Sequence, residues 1–245
     1  MDHLSFTQLT TWQRCQEQYR FRYIEEFAAP PYGIMVASRA LHDTLEHYFK
    51  VGKTLGMRAN DVAKSYWPAF ERAMDEEEGG NDWQDTTPGS LTVVAERVLT
   101  EYINSHGSHL APLEVEWPFA LDTDPPLVGS IDLVSEWGGR EIVVDYKLQR
   151  RAPRRDMPRP LQLSLYSLAR PDARRLELHA LTASRSGVVV LSWPPPTPAE
   201  QEGLALLVEA SAAQIEAGVF APTGMGTWAC EPGRCLYRDW CSYSS

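Results

Sequence analysis

The run Gly129-Ser130-Ile131-Asp132-Leu133-Val134-Ser135-Glu136-Trp137, then Gly138-Gly139, then Arg140-Glu141-Ile142-Val143-Val144-Asp145-Tyr146-Lys147, decides how this chain is read. Two stretches rich in β-branched and aromatic residues flank a Gly-Gly pair, which is the pattern of a hairpin with a two-residue loop. Such a loop fixes the register. Trp137 faces Arg140, Glu136 faces Glu141, and further down the ladder Asp132 faces Asp145. Alternate counting from the turn makes the two aspartates a non-hydrogen-bonded pair, with Cβ atoms about 4.5–5.5 Å apart. Lys147 lies two residues beyond Asp145 and so projects from the same face.

Two opposed carboxylates inside apolar strands repel each other and lose hydration, a cost the fold must offset. A divalent cation offsets it directly. Oxygen ligands suit Mg²⁺ or Mn²⁺, which lower the pKa of a bound water and neutralise phosphate charge. A lysine beside them can orient that water or help to deprotonate it. The alternative is an Asp–Lys–Asp ion-pair network on a solvated face. Ile131, Leu133, Val143 and Val144 make both faces largely apolar and weigh against it.

Working outward, residues 113–121, 127–137 and 141–147 read as strands, 162–169 as a helix, and 175–183 and 187–193 as two more strands. Pro194-Pro195-Pro196 ends the sheet, and 198–217 is an amphipathic helix. Upstream, Ser5 caps a helix along which Phe6, Leu9, Trp12, Tyr19 and Tyr23 recur at helical spacing. Helices are also expected over about 35–49, 61–74 and 91–103, with the acidic stretch 77–90 as a loop. The expected fold class is α/β (mixed α+β), a central mixed sheet flanked by helices. One domain would span 1–245, with a helical lobe at 1–110, a sheet core at 111–193, and a helix with a cysteine-bearing tail at 194–245.

The chain has 245 residues, 43% of them hydrophobic, enough for a buried core. Its net charge of −10 argues at first against a nucleic-acid partner. The distribution changes that. Residues 147–159 hold Lys147, Arg150, Arg151, Arg154, Arg155 and Arg159 against Asp156 alone, a local charge of +5 that leaves −15 for the remainder. Part of that −15 lies in Asp75-Glu76-Glu77-Glu78, Asp82 and Asp85. Charge segregated in this way can steer an anion to one face, although a solvated loop reads the same. The start of the chain lacks the basic flank and apolar run of a signal peptide, and no apolar stretch approaches membrane-spanning length. A cytoplasmic protein without a membrane partner is expected.

Asp132 followed by Asp145-Tyr146-Lys147 matches the signature of the PD-(D/E)XK nucleases, and the surroundings resemble the RecB-like branch. His42, within Ser38-Arg39-Ala40-Leu41-His42-Asp43-Thr44-Leu45-Glu46, matches the helical histidine that this branch supplies to its metal, with Ser38 where the family usually has glycine. Gln162-Leu163-Ser164-Leu165-Tyr166 matches its Gln-x-x-x-Tyr motif, whose i, i+4 spacing puts both polar groups on one helix face. The resemblance spans nearly the whole chain and implies a restriction-endonuclease-like fold. It implies that His42, Asp132, Asp145 and the Tyr146 carbonyl hold Mg²⁺ or Mn²⁺. It implies further that Lys147 positions the attacking water and that Gln162 and Tyr166 assist at the phosphate. Arg150, Arg151, Arg154 and Arg155 would then guide single-stranded DNA or an end with an overhang.

Cys15 stands alone near the start, while Cys230, Cys235 and Cys241 fall within the last sixteen residues. In an intracellular protein this points to a metal site more than to disulfides. Four thiolates can hold a [4Fe–4S] cluster or zinc, and free thiols are the bland alternative. Zinc sites favour paired Cys-x₂-Cys knuckles, which the chain lacks. The arrangement resembles the iron–sulfur staple of AddB-type helicase–nuclease subunits and of CRISPR-associated adaptation nucleases. Cys235-x₅-Cys241 fits that pattern, while Cys230-x₄-Cys235 is longer than the two-residue gap usual there. The resemblance implies a DNA exonuclease or end-processing enzyme stapled by [4Fe–4S], with DNA repair or CRISPR adaptation as its setting. Its alternative is a DNA-end binding subunit beside a helicase or a CRISPR-adaptation integrase.

Overall fold

The computed structural model describes residues 1–77 and 79–244; Glu78, part of the acidic run, lies outside the described residues. The β-branched middle of the chain forms one mixed sheet. Its strands are β1 (Leu4–Ser5), β2 (Ala111–Leu121), β3 (Leu127–Trp137), β4 (Arg140–Gln149), β5 (Arg175–Thr182) and β6 (Val188–Trp193). β2–β3, β3–β4 and β5–β6 pair antiparallel, while β4–β5 and β1–β3 pair parallel. A parallel pair cannot be joined by a tight turn, and here α7 (Leu161–Ala169) lies on the crossover from β4 to β5.

The expected hairpin forms. Gly138 and Gly139 take φ of +59° and +75°, the left-handed values that a two-residue loop with primed-turn geometry requires and that favour glycine. Five cross-strand pairs follow in the expected register, from Trp137 with Arg140 to Leu133 with Val144. There the ladder stops. Asp132 and Asp145, expected to face each other directly, are not a pair in it. The edges of β3 explain the stop. β2 lies along one edge, so β1, at Leu127 and Val128, and β4, from Leu133 onward, share the other. The strands therefore fork, and residues 129–132 pair with neither.

Helices cover both faces. On one, α3 (Gly33–His47), α5 (Tyr66–Asp75) and α6 (Pro88–Ser105) bury Leu41, Leu45, Phe70, Leu99 and Tyr102 against Ile142, Val144 and Tyr146. On the other, α1 (Phe6–Arg14), α7 and α8 (Pro198–Glu216) bury Leu9, Trp12, Leu163, Leu165 and Val208 against Val134, Val143 and Leu178. Each fully buried leucine contributes about 1.5–3 kcal/mol relative to exposure. The expected mixed sheet flanked by helices is thus the observed fold, consistent with a restriction-endonuclease-like architecture.

Several boundaries differ from expectation, each for a local reason. The helix expected over 61–74 divides at Ser65 into α4 (Ala59–Lys64) and α5, because Pro68 has no N–H to continue a helix and sits instead in the first turn of a new one. α6 starts at Pro88, before residue 91, because Thr87 and Ser90 form a capping box with proline in the first turn. Ser5 caps α1 through a reciprocal bond with Gln8, as its sequence suggests. The first helix does not run unbroken to Tyr23. Cys15 is extended, with φ −165° and ψ 120°, and separates α1 from α2 (Gln16–Tyr19). No helix among the described residues is long and apolar enough to cross a membrane.

Candidate functional site

The fork between β3 and β4 is where the polar residues gather. Having lost its backbone partner, β4 offers the Tyr146 N–H to the Asp132 carboxylate, which accepts at 2.8 Å through Oδ2. Asp145 is fully buried. Its Oδ1 accepts from Lys147 Nζ at 2.8 Å, and its Oδ2 is buried with no hydrogen-bond partner. Burial, acting against the charged form, pushes Asp132 up to about 7 and Asp145 up to about 6. Burial acts to lower Lys147, but the attraction of Asp145 and Asp132 outweighs it and holds the ammonium above its ordinary value.

His42 reaches the fork from α3. Its Nε2 lies 3.0 Å from the Tyr146 carbonyl, which can only accept, so Nε2 carries the proton and a neutral ring leaves a lone pair on Nδ1. That Nδ1 faces Asp132 Oδ2 at 3.5 Å. Burial, followed by the charge of Lys147, lowers the His42 pKa and disfavours the imidazolium that would relieve this contact. Nδ1 thus presents a lone pair to the Asp132 carboxyl group. Together with the orphaned Asp145 Oδ2, this is the environment a divalent cation fits.

From Lys147 the polar chain continues into α7. Nζ also donates to Gln162 Oε1 at 2.9 Å, and the Gln162 amide makes a short bond to the Tyr166 hydroxyl. Tyr166 is buried between Phe6 and Phe119. Gln162 and Tyr166, expected at the substrate phosphate, thus form a hydrogen-bonded chain that ends on Lys147.

Glu116 on β2 went unnoticed in the sequence. It lies with His42 and Asp132 in a group whose ligand atoms are all within 4.8 Å of one another. The run Glu114-Val115-Glu116 alternates like an ordinary half-exposed strand, so no local signal distinguishes it.

The family model of the PD-(D/E)XK nuclease superfamily matches residues 3–242. The chain belongs to this superfamily. Its members are metal-dependent nucleases, and the residues of their signature here, Asp132 and Asp145-Tyr146-Lys147, are those gathered at the fork. No curated protein matches the chain in sequence. Among solved structures, one described as "Crystal structure of SSO0001" is similar at a TM-score of 0.48 and 13% identity, over 100% of this chain and 87% of that chain. A likeness at that level carries no argument about activity.

Beyond the superfamily's signature, two further groups stood out in the sequence. The thiols of Cys15, Cys230, Cys235 and Cys241 are all free and line one cavity, together with Gln18, Phe21 and Met225. Gly224 closes over Cys15 so tightly that a Cβ there would lie 3.2 Å from Cys15 Cβ. Burial raises the Cys235 thiol above its ordinary value. The basic loop is less free than its composition suggests. Arg150 grips Asp85 with two nitrogens, Arg154 pairs with Asp156, and Arg159 pairs with Glu200. The acidic stretch and the basic loop thus meet at Asp85 and Arg150. Arg151 and Arg155 make no ion pair among the described residues.

Proposed function

We propose that this chain is a metal-dependent DNA exonuclease or end-processing nuclease whose two ends are joined through an iron–sulfur cluster. One observation carries the catalytic part of this reading: Asp145 is fully buried, with one carboxylate oxygen held by Lys147 and the other without a partner. A fold keeps so costly a group where a cation completes it.

In this reading Asp132, Asp145 and His42 Nδ1 hold Mg²⁺ or Mn²⁺, with the Tyr146 carbonyl beside them. Bound there, the ion would lower the pKa of a water and neutralise charge on the scissile phosphate. Lys147 stays protonated near neutrality, since its pKa is raised, and so serves as a donor toward phosphate or water and not as a base. Gln162 and Tyr166 fix the lysine's direction. Arg151 and Arg155, the loop cations outside ion pairs, are the first contacts offered to the DNA backbone, and exchange of Asp85 or Asp156 for phosphate would recruit Arg150 and Arg154. The exonuclease assignment and the cluster rest on the resemblance to RecB-like, iron–sulfur-stapled nucleases. The cluster gains support from the single cavity lined by all four thiols and from the tight approach of Gly224.

The test is cleavage of end-labelled single-stranded, blunt and overhang DNA in Mn²⁺ or Mg²⁺. Asp145→Asn is expected to abolish both cleavage and metal binding. Lys147→Ala is expected to lower cleavage about 10²–10⁴-fold while metal binding persists. Parent-like cleavage by Asp145→Asn would exclude the fork as the active site.

A further inference from the structure

We propose that Glu116 is a ligand of the divalent cation, completing a His42–Glu116–Asp132 set at the point where β2 and β3 both break their alternation. The proposal rests on the metal-site reading above and extends it to a residue on a strand outside the signature.

The backbone supplies the first reason. In a regular strand, residues i and i+2 point to one face. Here Val115 pairs with Leu133, and Trp117 pairs with Ile131. Val115 and Leu133 pack in the core beneath α3 and α6, whereas Trp117 and Ile131 pack in the opposite core beneath α1 and α7. Both strands therefore change faces between these pairs, at Glu116 and at Asp132. The change carries a visible cost, because Glu116 adopts φ +50°, a left-handed conformation that side chains with a Cβ seldom take. Strain of this kind persists where the surroundings impose it, and it is concentrated at functional sites.

The switch has a chemical result. It gathers one oxygen of Glu116, one of Asp132 and one nitrogen of His42 within 4.8 Å of one another. An independent observation beside the group points to a cation, namely the buried Asp145 Oδ2 without a hydrogen-bond partner. An imidazole with carboxylates forms a mixed nitrogen–oxygen set, which suits Mn²⁺ better than the harder, oxygen-preferring Mg²⁺.

A purely structural role is the competing account. Glu116 Oε2 accepts from Ser130 Oγ at 2.9 Å, a strut between β2 and β3. A neutral amide can accept that bond equally well, so Glu116→Gln separates the two accounts. It keeps the strut and removes the charged ligand.

The experiment is a Mn²⁺ titration of the full chain, followed by the loss of the free-ion electron paramagnetic resonance signal. Glu116→Gln is expected to bind Mn²⁺ at least tenfold more weakly, since losing even an outer partner of a ligand costs about 10–100-fold. Ser130→Ala, which removes only the strut, is expected to bind like the parent. If Glu116→Gln folds poorly, Glu116→Gly relieves the positive φ and still removes the carboxylate, with the same weakening expected. Parent-like Mn²⁺ affinity in the glutamine or glycine variant would overturn the proposal and leave Glu116 as a strut. A parent chain that binds no Mn²⁺ would remove the metal site as a whole, and this ligand with it.

Discussion

Asp132 and Asp145 keep their protons to about pH 7 and about pH 6 because burial strips hydration from their charged forms. A metal ion bound at the proposed site would have to displace those protons. Mn²⁺ affinity is therefore expected to rise with pH through the 6–7 window and to level off above it, with protons released on binding at pH 6. Calorimetry in two buffers of different ionisation enthalpy counts those protons, and binding without release would contradict the assignment. The same shifts set the sign for stability without metal. Both folded pKa values lie above the unfolded value of about 3.9, so the stability these groups contribute is fully present below pH 4. It is lost as pH rises through 6 and 7. The parent's melting temperature, compared with that of Asp132→Asn/Asp145→Asn, is expected to fall across this range, and saturating Mn²⁺ is expected to reverse the fall. A parent melting temperature that rises with pH relative to the variant's in metal-free protein would show that burial is not what shifts these aspartates.

At the scale of elements, the β3–β4 hairpin was legible because its information is local. Gly138-Gly139 dictates the turn, and the turn dictates five pairs of register. The sixth pair fails for a reason written far away. Leu4 and Ser5, more than a hundred residues upstream, take part of the β3 edge, and β3 leaves β4 one step earlier than counting predicts. The site residues on the two signature strands and on α3 could be read from motif spacing. Glu116 could not, since the role proposed for it depends on a face switch shared between two strands and not on a pattern within one. The break at Ser65 was in principle readable, because Pro68 forbids a continuous helix. The extended conformation of Cys15 was not, since Arg14-Cys15-Gln16 carries neither proline nor glycine.

Across the whole molecule, the tail returns to the first helices. Phe21 stacks on Tyr237, the Tyr32 hydroxyl donates to the Cys235 carbonyl at 3.0 Å, and the Gln16 side chain accepts from the Ala221 N–H at 2.9 Å. A cluster on the four cysteines would add a cross-link closing more than two hundred residues, which lowers the entropy of the unfolded chain and adds metal-binding free energy to folding. Protein purified without oxygen is expected to be brown, with about four irons per chain for [4Fe–4S]. Cys15→Ala is expected to lose the colour and to be cut by protease near Cys230 sooner than the parent, because local opening then breaks only the non-covalent contacts. Colourless protein with one zinc per chain would replace the cluster and leave the nuclease site untouched. Parent-like proteolysis and melting in Cys15→Ala would show that the thiols do not tie the ends together.

The forked edge of β3 also matters between molecules. An open strand edge is a template on which a second chain can build, and proteins blunt such edges with short strands, charges or covers. β1 is only two residues long, yet it caps this edge beside the fork, with Leu4 wholly buried and its N–H bound to the Pro126 carbonyl at 2.9 Å. In that position the strand would act as a stopper against self-association, beside the fork where the proposed site lies. Leu4→Pro cannot donate that bond and is expected to form oligomers whose population grows with protein concentration, as light scattering would report. A variant that stays monomeric as concentration rises would mean that the fork resists templating without its stopper.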